Sequence, residues 1–135
     1  MIKDKFGLVI GNTRWHWAIK KENEWLFIHT PPEINKFNQI KNDLWRWAAV
    51  GPIPKEITLD QSKAIAIKDI PLNNLPTWVG IDRALGSWAA LQKAKRKNLH
   101  KKGLLIADAG TVVSMTVISA NGEFLGGQLL PGLQL

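Results

Sequence analysis

Two short turns carry the residue types that hold phosphate. Gly11-Asn12-Thr13 and Gly110-Thr111 each set a glycine beside a threonine, between two apolar segments. Glycine lets the backbone approach an anion closely. Converging amides supply donors, and the threonine hydroxyl adds another. One such turn is a weak signal, but a pair can face each other across a cleft and hold a triphosphate between them. Asp108 precedes the second turn, where a carboxylate can hold a cation beside phosphates. A turn-forming aspartate bonded to its own backbone explains that position equally well.

A third group is Gly80-Ile81-Asp82-Arg83. Asp82 is placed as the N-cap of a helix. Arg83 then opposes the helix dipole. Binding an anionic group would account for it, because a guanidinium matches a carboxylate through two parallel bonds. Asp82 beside it would be positioned to take a proton from a hydroxyl, although solvent exposure of Arg83 is the simpler reading. Outside these groups little points to chemistry. His16, His29 and His100 are scattered, with no metal-ligand spacing. There is no P-loop, and Gly126-Gly127 is a doublet in a strand rather than a dinucleotide fingerprint.

The elements that must position these residues form a repeated pattern. Phe6 to Ile10 reads as a buried strand. Trp15, Trp17 and Ile19 alternate with polar or small residues in a second strand, and Trp25 to His29 make a third. Pro31-Pro32 ends this meander. Ile34, Phe37, Ile40 and Leu44 predict a helix running to Trp45. Ala48 to Gly51, Ile57 to Leu59 and Ala64 to Ile67 are weaker strand candidates. Asp82 to His100 is the clearest helix, ended by Gly103. Then the opening repeats: a strand at Leu104 to Ala107, a turn at Asp108 to Thr111, a strand at Val112 to Ile118, a hairpin turn at Asn121-Gly122, and a third strand from Glu123. Strand, Gly-and-Thr turn, strand, turn, strand thus occurs twice, which suggests two related half-domains.

Composition sets the bounds. With 45% hydrophobic and 21% charged residues, the chain is of a kind that buries a core rather than staying disordered. No apolar run reaches the roughly 20 residues of a membrane helix, and the N-terminus lacks a signal-peptide pattern. The absence of cysteine excludes disulfides and thiolate chemistry and fits a cytoplasmic setting. The net charge of +7 is local: Lys93, Lys95, Arg96, Lys97, Lys101 and Lys102 supply six of it. These cations suit a helix C-terminus. No aromatic residues interleave with them, which argues against nucleic acid. The seven tryptophans read as packing, including the alternating pairs Trp15/Trp17 and Trp45/Trp47. The last ten residues carry no charge and end in Leu133-Gln134-Leu135. Termini are usually polar, so the second half-domain reads as unfinished.

In order and spacing, four motifs together resemble type III pantothenate kinase, in its cyanobacterial branch. They are Ile10-Gly11-Asn12-Thr13, Gly80-Ile81-Asp82-Arg83, Asp108-Ala109-Gly110-Thr111, and Gly126-Gly127-Gln128-Leu129-Leu130-Pro131-Gly132-Leu133. The resemblance spans nearly the whole chain and is poorest from about Ile34 to Asn74. It implies an α/β fold of duplicated ribonuclease H-like half-domains, as in actin-like ATPases and sugar kinases, with mixed sheets and flanking helices. Residues 1–102, with the long helix 82–100, would be the first half, and 103–135 the start of an incomplete second. It further implies ATP-dependent phosphorylation of pantothenate, the first step of coenzyme A synthesis. Ile10, Gly11, Asn12, Thr13, Arg14, Gly110 and Thr111 would bind ATP, and Gly80, Ile81, Asp82 and Arg83 the substrate. Asp82 would be the proton acceptor, and Asp108 the ligand of a monovalent cation, K+ or NH4+. Mg2+ would accompany ATP, and the enzyme would be a homodimer. Two positions depart from the family pattern, Val9 and Thr116, each where an aspartate is usual. A non-catalytic regulator of the same fold, such as a Baf-type transcriptional activator, is the alternative, and a kinase for another hydroxyl substrate is a third. The 135 residues alone are expected to be inactive.

Overall fold

A computed structural model describes residues 3–132. Met1, Ile2 and Leu133 to Leu135, and with them the end of the fourth motif at Leu133, lie outside the described residues. Contacts group the chain into two compact units, Met1–Ala66 and Ile67–Leu135.

In the first unit, β1 (Lys5–Ile10), β2 (Trp15–Lys21) and β3 (Glu24–Thr30) form the expected antiparallel meander. A short helix α1 (Ile34–Ile40) and a 3-10 turn (Lys41–Asp43) return the chain to β4 (Leu44–Ala49), which lies parallel to β1. The sheet order β3-β2-β1-β4 is that of a ribonuclease H-like half-domain. One face is the core. Leu8, Ile10, Trp15, Trp17 and Ile19 project from β1 and β2 onto Phe37, Leu44, Trp47, Ile57 and Leu59, all buried. The period-2 alternation of β2 does this directly, since residues i and i+2 share a face. Trp15 and Trp17 pack at 5.9 Å between ring centroids, and the Phe37 ring meets Trp15 edge-on at 6.4 Å. The buried indoles keep their N–H groups bonded, Trp17 Nε1 to Thr30 Oγ1 at 3.1 Å and Trp47 Nε1 to the Asp60 carbonyl at 2.8 Å.

Several expectations change here. The helix expected over Ile34 to Trp45 stops at Ile40, and Leu44 and Trp45 belong to β4. Trp45 does not share the core face with Trp47. The register jumps from Phe6↔Leu44 to Gly7↔Arg46, so Trp45 is an extra residue in a bulge and is 48% exposed. A bulge inserts one residue and shifts the phase of the strand. Ile57 to Leu59 and Ala64 to Ile67 are not strands: Ile57 and Leu59 are buried in loop, and Ala64 makes a single bridge to Trp47. At Asp60, Ser62 donates from both its hydroxyl and its amide to Oδ1, which holds the carboxyl below the usual aspartate range.

In the second unit, helix α2 (Ile81–Arg96) packs on a three-stranded antiparallel sheet of β5 (Leu104–Ala109), β6 (Val112–Ile118) and β7 (Phe124–Pro131). Ala84, Ser87 and Leu91 on α2 are buried, as are Thr116 and Ile118 on β6. The sheet order β5-β6-β7 repeats the meander of the first unit. The helix ends earlier than its periodicity predicts. Asn98 takes φ 56°, and the Leu99 amide bonds back to the Ala94 carbonyl at 2.8 Å. Asparagine therefore provides the left-handed cap expected of Gly103. Gly103, at φ 80°, instead leads into β5, where an added Cβ would lie 2.8 Å from the Ile118 carbonyl oxygen. The basic residues fill the last turn of α2 and the loop beyond, and Lys93, Lys95, Arg96, Lys97, Lys101 and Lys102 are exposed. Among the described residues no helix is long and apolar enough to cross a membrane.

Candidate functional site

The first turn sits between β1 and β2. The Gly11 amide donates to the Arg14 carbonyl at 2.9 Å and closes it. Asn12, Thr13 and Arg14 are exposed. The amides of Asn12 and Thr13 donate to no backbone carbonyl among the described residues, so they remain available to an anion. Ile10 anchors the turn rather than lining it. Its side chain is fully buried, and its carbonyl accepts from Val50 at 2.9 Å and Gly51 at 3.1 Å. Gly51 was not legible as part of the site. A Cβ there would lie 2.0 Å from the Gly11 carbonyl oxygen, so only glycine lets the end of β4 pass behind the turn.

The second unit builds its turn with the same residue types and a tighter loop. Asp108 and Ala109 belong to β5, and Gly110-Thr111 alone leads into β6, with the Gly110 amide donating to the Val112 carbonyl at 3.1 Å. A second glycine is again tucked behind. The Gly132 amide donates to the Thr111 carbonyl at 3.0 Å, and a Cβ on Gly132 would lie 2.2 Å from that oxygen. Each turn is thus backed by a glycine arriving from another strand.

At the N-terminus of α2 the cap is Gly80, not Asp82. Gly80 offers no side-chain bond, and Asp82 lies within the first turn, its Oδ1 accepting from the Arg83 amide at 2.8 Å. An acid there suits the helix dipole. Arg83 is half-buried and engaged. Its Nε donates to Thr116 Oγ1 at 2.6 Å and its Nη2 to the Met115 carbonyl at 2.7 Å. The guanidinium also lies over two rings, 5.9 Å from Trp78 and 5.8 Å from Phe124, which themselves meet edge-on. A guanidinium has five N–H donors. Two are engaged in fixing its plane, and the Nη1 edge has no bond to a described residue. Thr116, 2% exposed, is satisfied by this contact.

The sheet register relates Arg83 to Asp108. Thr116 pairs with Ile106, and Ser114 with Asp108. Successive same-face positions in a strand are two residues apart, so Asp108 lies on the face that carries Thr116, one pair further toward the Gly110-Thr111 turn. Asp82 and Asp108 are both exposed, and neither forms an ion pair among the described residues. Ile10 to Arg14 belong to the first unit; Gly80 to Arg83, Asp108, Gly110 and Thr111 belong to the second.

The glycine doublet has a packing role here. An ideal Cβ on Gly127 would lie 2.0 Å from the Met115 carbonyl oxygen and 2.3 Å from Arg83 Nη2. Gly126 takes φ 138°, a conformation side chains rarely adopt. Gly127→Ala is therefore expected to push Arg83 out of its clamp and to cost about 1–3 kcal/mol, as overpacking does. Urea denaturation of the variant beside its parent measures this, and equal midpoints would contradict the clamp.

The family description for type III pantothenate kinase matches residues 56–135. Among curated relatives, the type III pantothenate kinase of Thermosynechococcus vestitus is 36% identical over 134 residues, covering 96% of this chain and 50% of the relative. That of a Synechocystis species is 32% identical over 138 residues, covering 98% and 51%. A solved structure, the ethanolamine utilization protein EutJ from Carboxydothermus hydrogenoformans, aligns with a TM-score of 0.43 at 10% identity, covering 99% of this chain and 54% of its own. The chain spans about half the length of the curated relatives it matches.

Proposed function

The chain belongs to the type III pantothenate kinase family, and from that premise we propose that the complete gene product phosphorylates pantothenate with ATP. The pantothenate hydroxyl oxygen attacks the γ-phosphorus, the bond to the ADP oxygen breaks, and the hydroxyl proton passes to the Asp82 carboxylate. The product is 4'-phosphopantothenate, which enters coenzyme A synthesis. The observation that carries this reading is the clamp on Arg83. Thr116, the Met115 carbonyl and two rings fix a guanidinium whose Nη1 edge has no bond among the described residues, beside the exposed Asp82. That is a prepared anion site next to a potential base, and it suits a substrate with a carboxylate and a hydroxyl.

The amides of Asn12 and Thr13, with Gly11 and Arg14 around them, would hold ATP phosphates, and Gly110 and Thr111 would add donors from the second turn. Phosphoryl transfer depends chiefly on such positioning and on electrostatics. Asp108, exposed beside the second turn, offers oxygen ligands that fit a monovalent cation, K+ or NH4+. Among the described residues no three His, Asp or Glu side chains converge on a metal site, and Val9 is apolar. This fits Mg2+ that arrives on the phosphates and keeps most of its water. A boundary at residues 102/103 would part α2 from the sheet it packs on, so we assign the β1–β3 and β5–β7 meanders to the two halves of the ancestral repeat, and we place the protein in the cytoplasm as a homodimer that binds no nucleic acid.

A coupled assay of ADP release on the complete gene product, with pantothenate, Mg2+-ATP and K+, tests the reading. Turnover that requires both pantothenate and K+ is expected. No pantothenate-dependent turnover, together with duplex DNA binding that weakens steeply with salt, would favour a regulator instead.

A further inference from the structure

The open face of the first unit's sheet holds a pair of imidazoles that the kinase reading does not use. His16 on β2 and His29 on β3 are directly opposed in the ladder. Both are exposed. Their rings lie 4.7 Å apart at 73°, and the two Nδ1 atoms share a hydrogen bond of 2.6 Å. Gly11 makes room for this arrangement, because a Cβ there would come within 3.2 Å of His16 Nε2. Around the pair on the same face, Val9 opposes His16 from β1, and Ala18 and Phe27 are the next residues along the two strands. None of these is a carboxylate that would draw in a hard cation.

We propose that His16 and His29 form a two-imidazole site for a divalent transition ion of the Zn2+, Ni2+ or Cu2+ class, held through the two Nδ1 atoms after the proton they share passes to solvent or to the ring's own Nε2. Imidazole nitrogen suits these ions and not Mg2+ or K+. Tetrahedral Zn2+ with Zn–N bonds of about 2.1 Å places its two nitrogens about 3.4 Å apart. The rings must therefore separate by about 0.8 Å, which small rotations of two exposed side chains supply. Water reaches the pair, because both rings are exposed. The bound ion would tie β3 to the strand that leaves the Gly11-Asn12-Thr13 turn. The inference stands apart from the kinase reading and is tested without turnover.

The test is titration of the full chain with NiCl2 and separately with ZnCl2, followed by calorimetry and by histidine-selective NMR. One ion per chain is expected, shifting the Nδ1 signals of His16 and His29 and leaving those of His100 in place, with an excess of Mg2+ unable to compete. His16→Ala and His29→Ala should each lose the binding, because both ligands are needed. Their far-UV circular dichroism should match the parent, since both side chains are exposed. The proposal is overturned if the parent binds neither ion, if either single variant binds like the parent, or if only His100 signals move.

Discussion

Asp82→Asn in the complete gene product is expected to lower kcat by about 10²–10⁴-fold, the usual contribution of a general base. The substitution keeps the shape of the side chain and its acceptor for the Arg83 amide, but it removes the proposed proton acceptor. Asp82 lies in the first turn of α2 with an exposed carboxylate and no ion-pair partner among the described residues. Loss of its charge should therefore cost the helix only about 0.3–1 kcal/mol through the dipole. Affinity for ATP, which we propose is held on the turns at Asn12 and Thr111, should stay at the parental level. Steady-state kinetics with nucleotide binding measured alongside separate these effects. A variant that turns over like the parent would remove Asp82 from the chemistry.

The second large effect is structural. Trp17→Ala is expected to destabilise the first unit by about 3–5 kcal/mol, a large share of the roughly 5–15 kcal/mol that holds a typical domain. Trp17 is 1% exposed and packs against Trp15. Lys36 Nζ lies 5.2 Å from its ring centroid, and Thr30 Oγ1 accepts from its indole N–H. Truncation opens a cavity under β2 and leaves the Thr30 hydroxyl without that partner. Urea denaturation followed by circular dichroism measures the loss. A cost below about 1 kcal/mol, the range of surface changes, would mean that the sheet does not depend on this core. Trp25→Ala is the natural contrast, because Trp25 is 44% exposed on the edge strand.

These two residues also mark what could be read in the sequence. Period-2 alternation at Trp15, Trp17 and Ile19 places all three on one face, and they are buried together in the core. The repeated meander was legible because each copy carries its own turn chemistry, with Gly122 at φ 82° in the expected Asn121-Gly122 turn. What failed to show were effects that arise only between strands. The bulge that turns Trp45 outward depends on its register against Phe6 and Gly7, which one strand's pattern does not contain. Asn98 could be preferred to Gly103 as the cap only once the end of α2 was placed.

The candidate site divides in the same way. Asp82 and Arg83 stood out locally because a cation in the first turn of a helix needs a reason. That reason lies about thirty residues on in the chain, in Thr116 and the Met115 carbonyl. Gly126-Gly127 read only as a doublet, yet Gly127 is what admits the guanidinium. Gly51 and Gly132, the glycines behind the two turns, have no motif of their own. Their requirement comes from the carbonyl oxygens of Gly11 and Thr111, which no local window reveals.

The proposed kinase activity needs each glycine turn to bind nucleotide phosphate. Paramagnetic broadening of backbone amide NMR signals by Mn2+-ATP, measured on the complete gene product, tests this most directly. The amides of Asn12 and Thr13 and those of Gly110 and Thr111 should all broaden at the same nucleotide concentration. Broadening at one turn while the other keeps its sharp signals would contradict it.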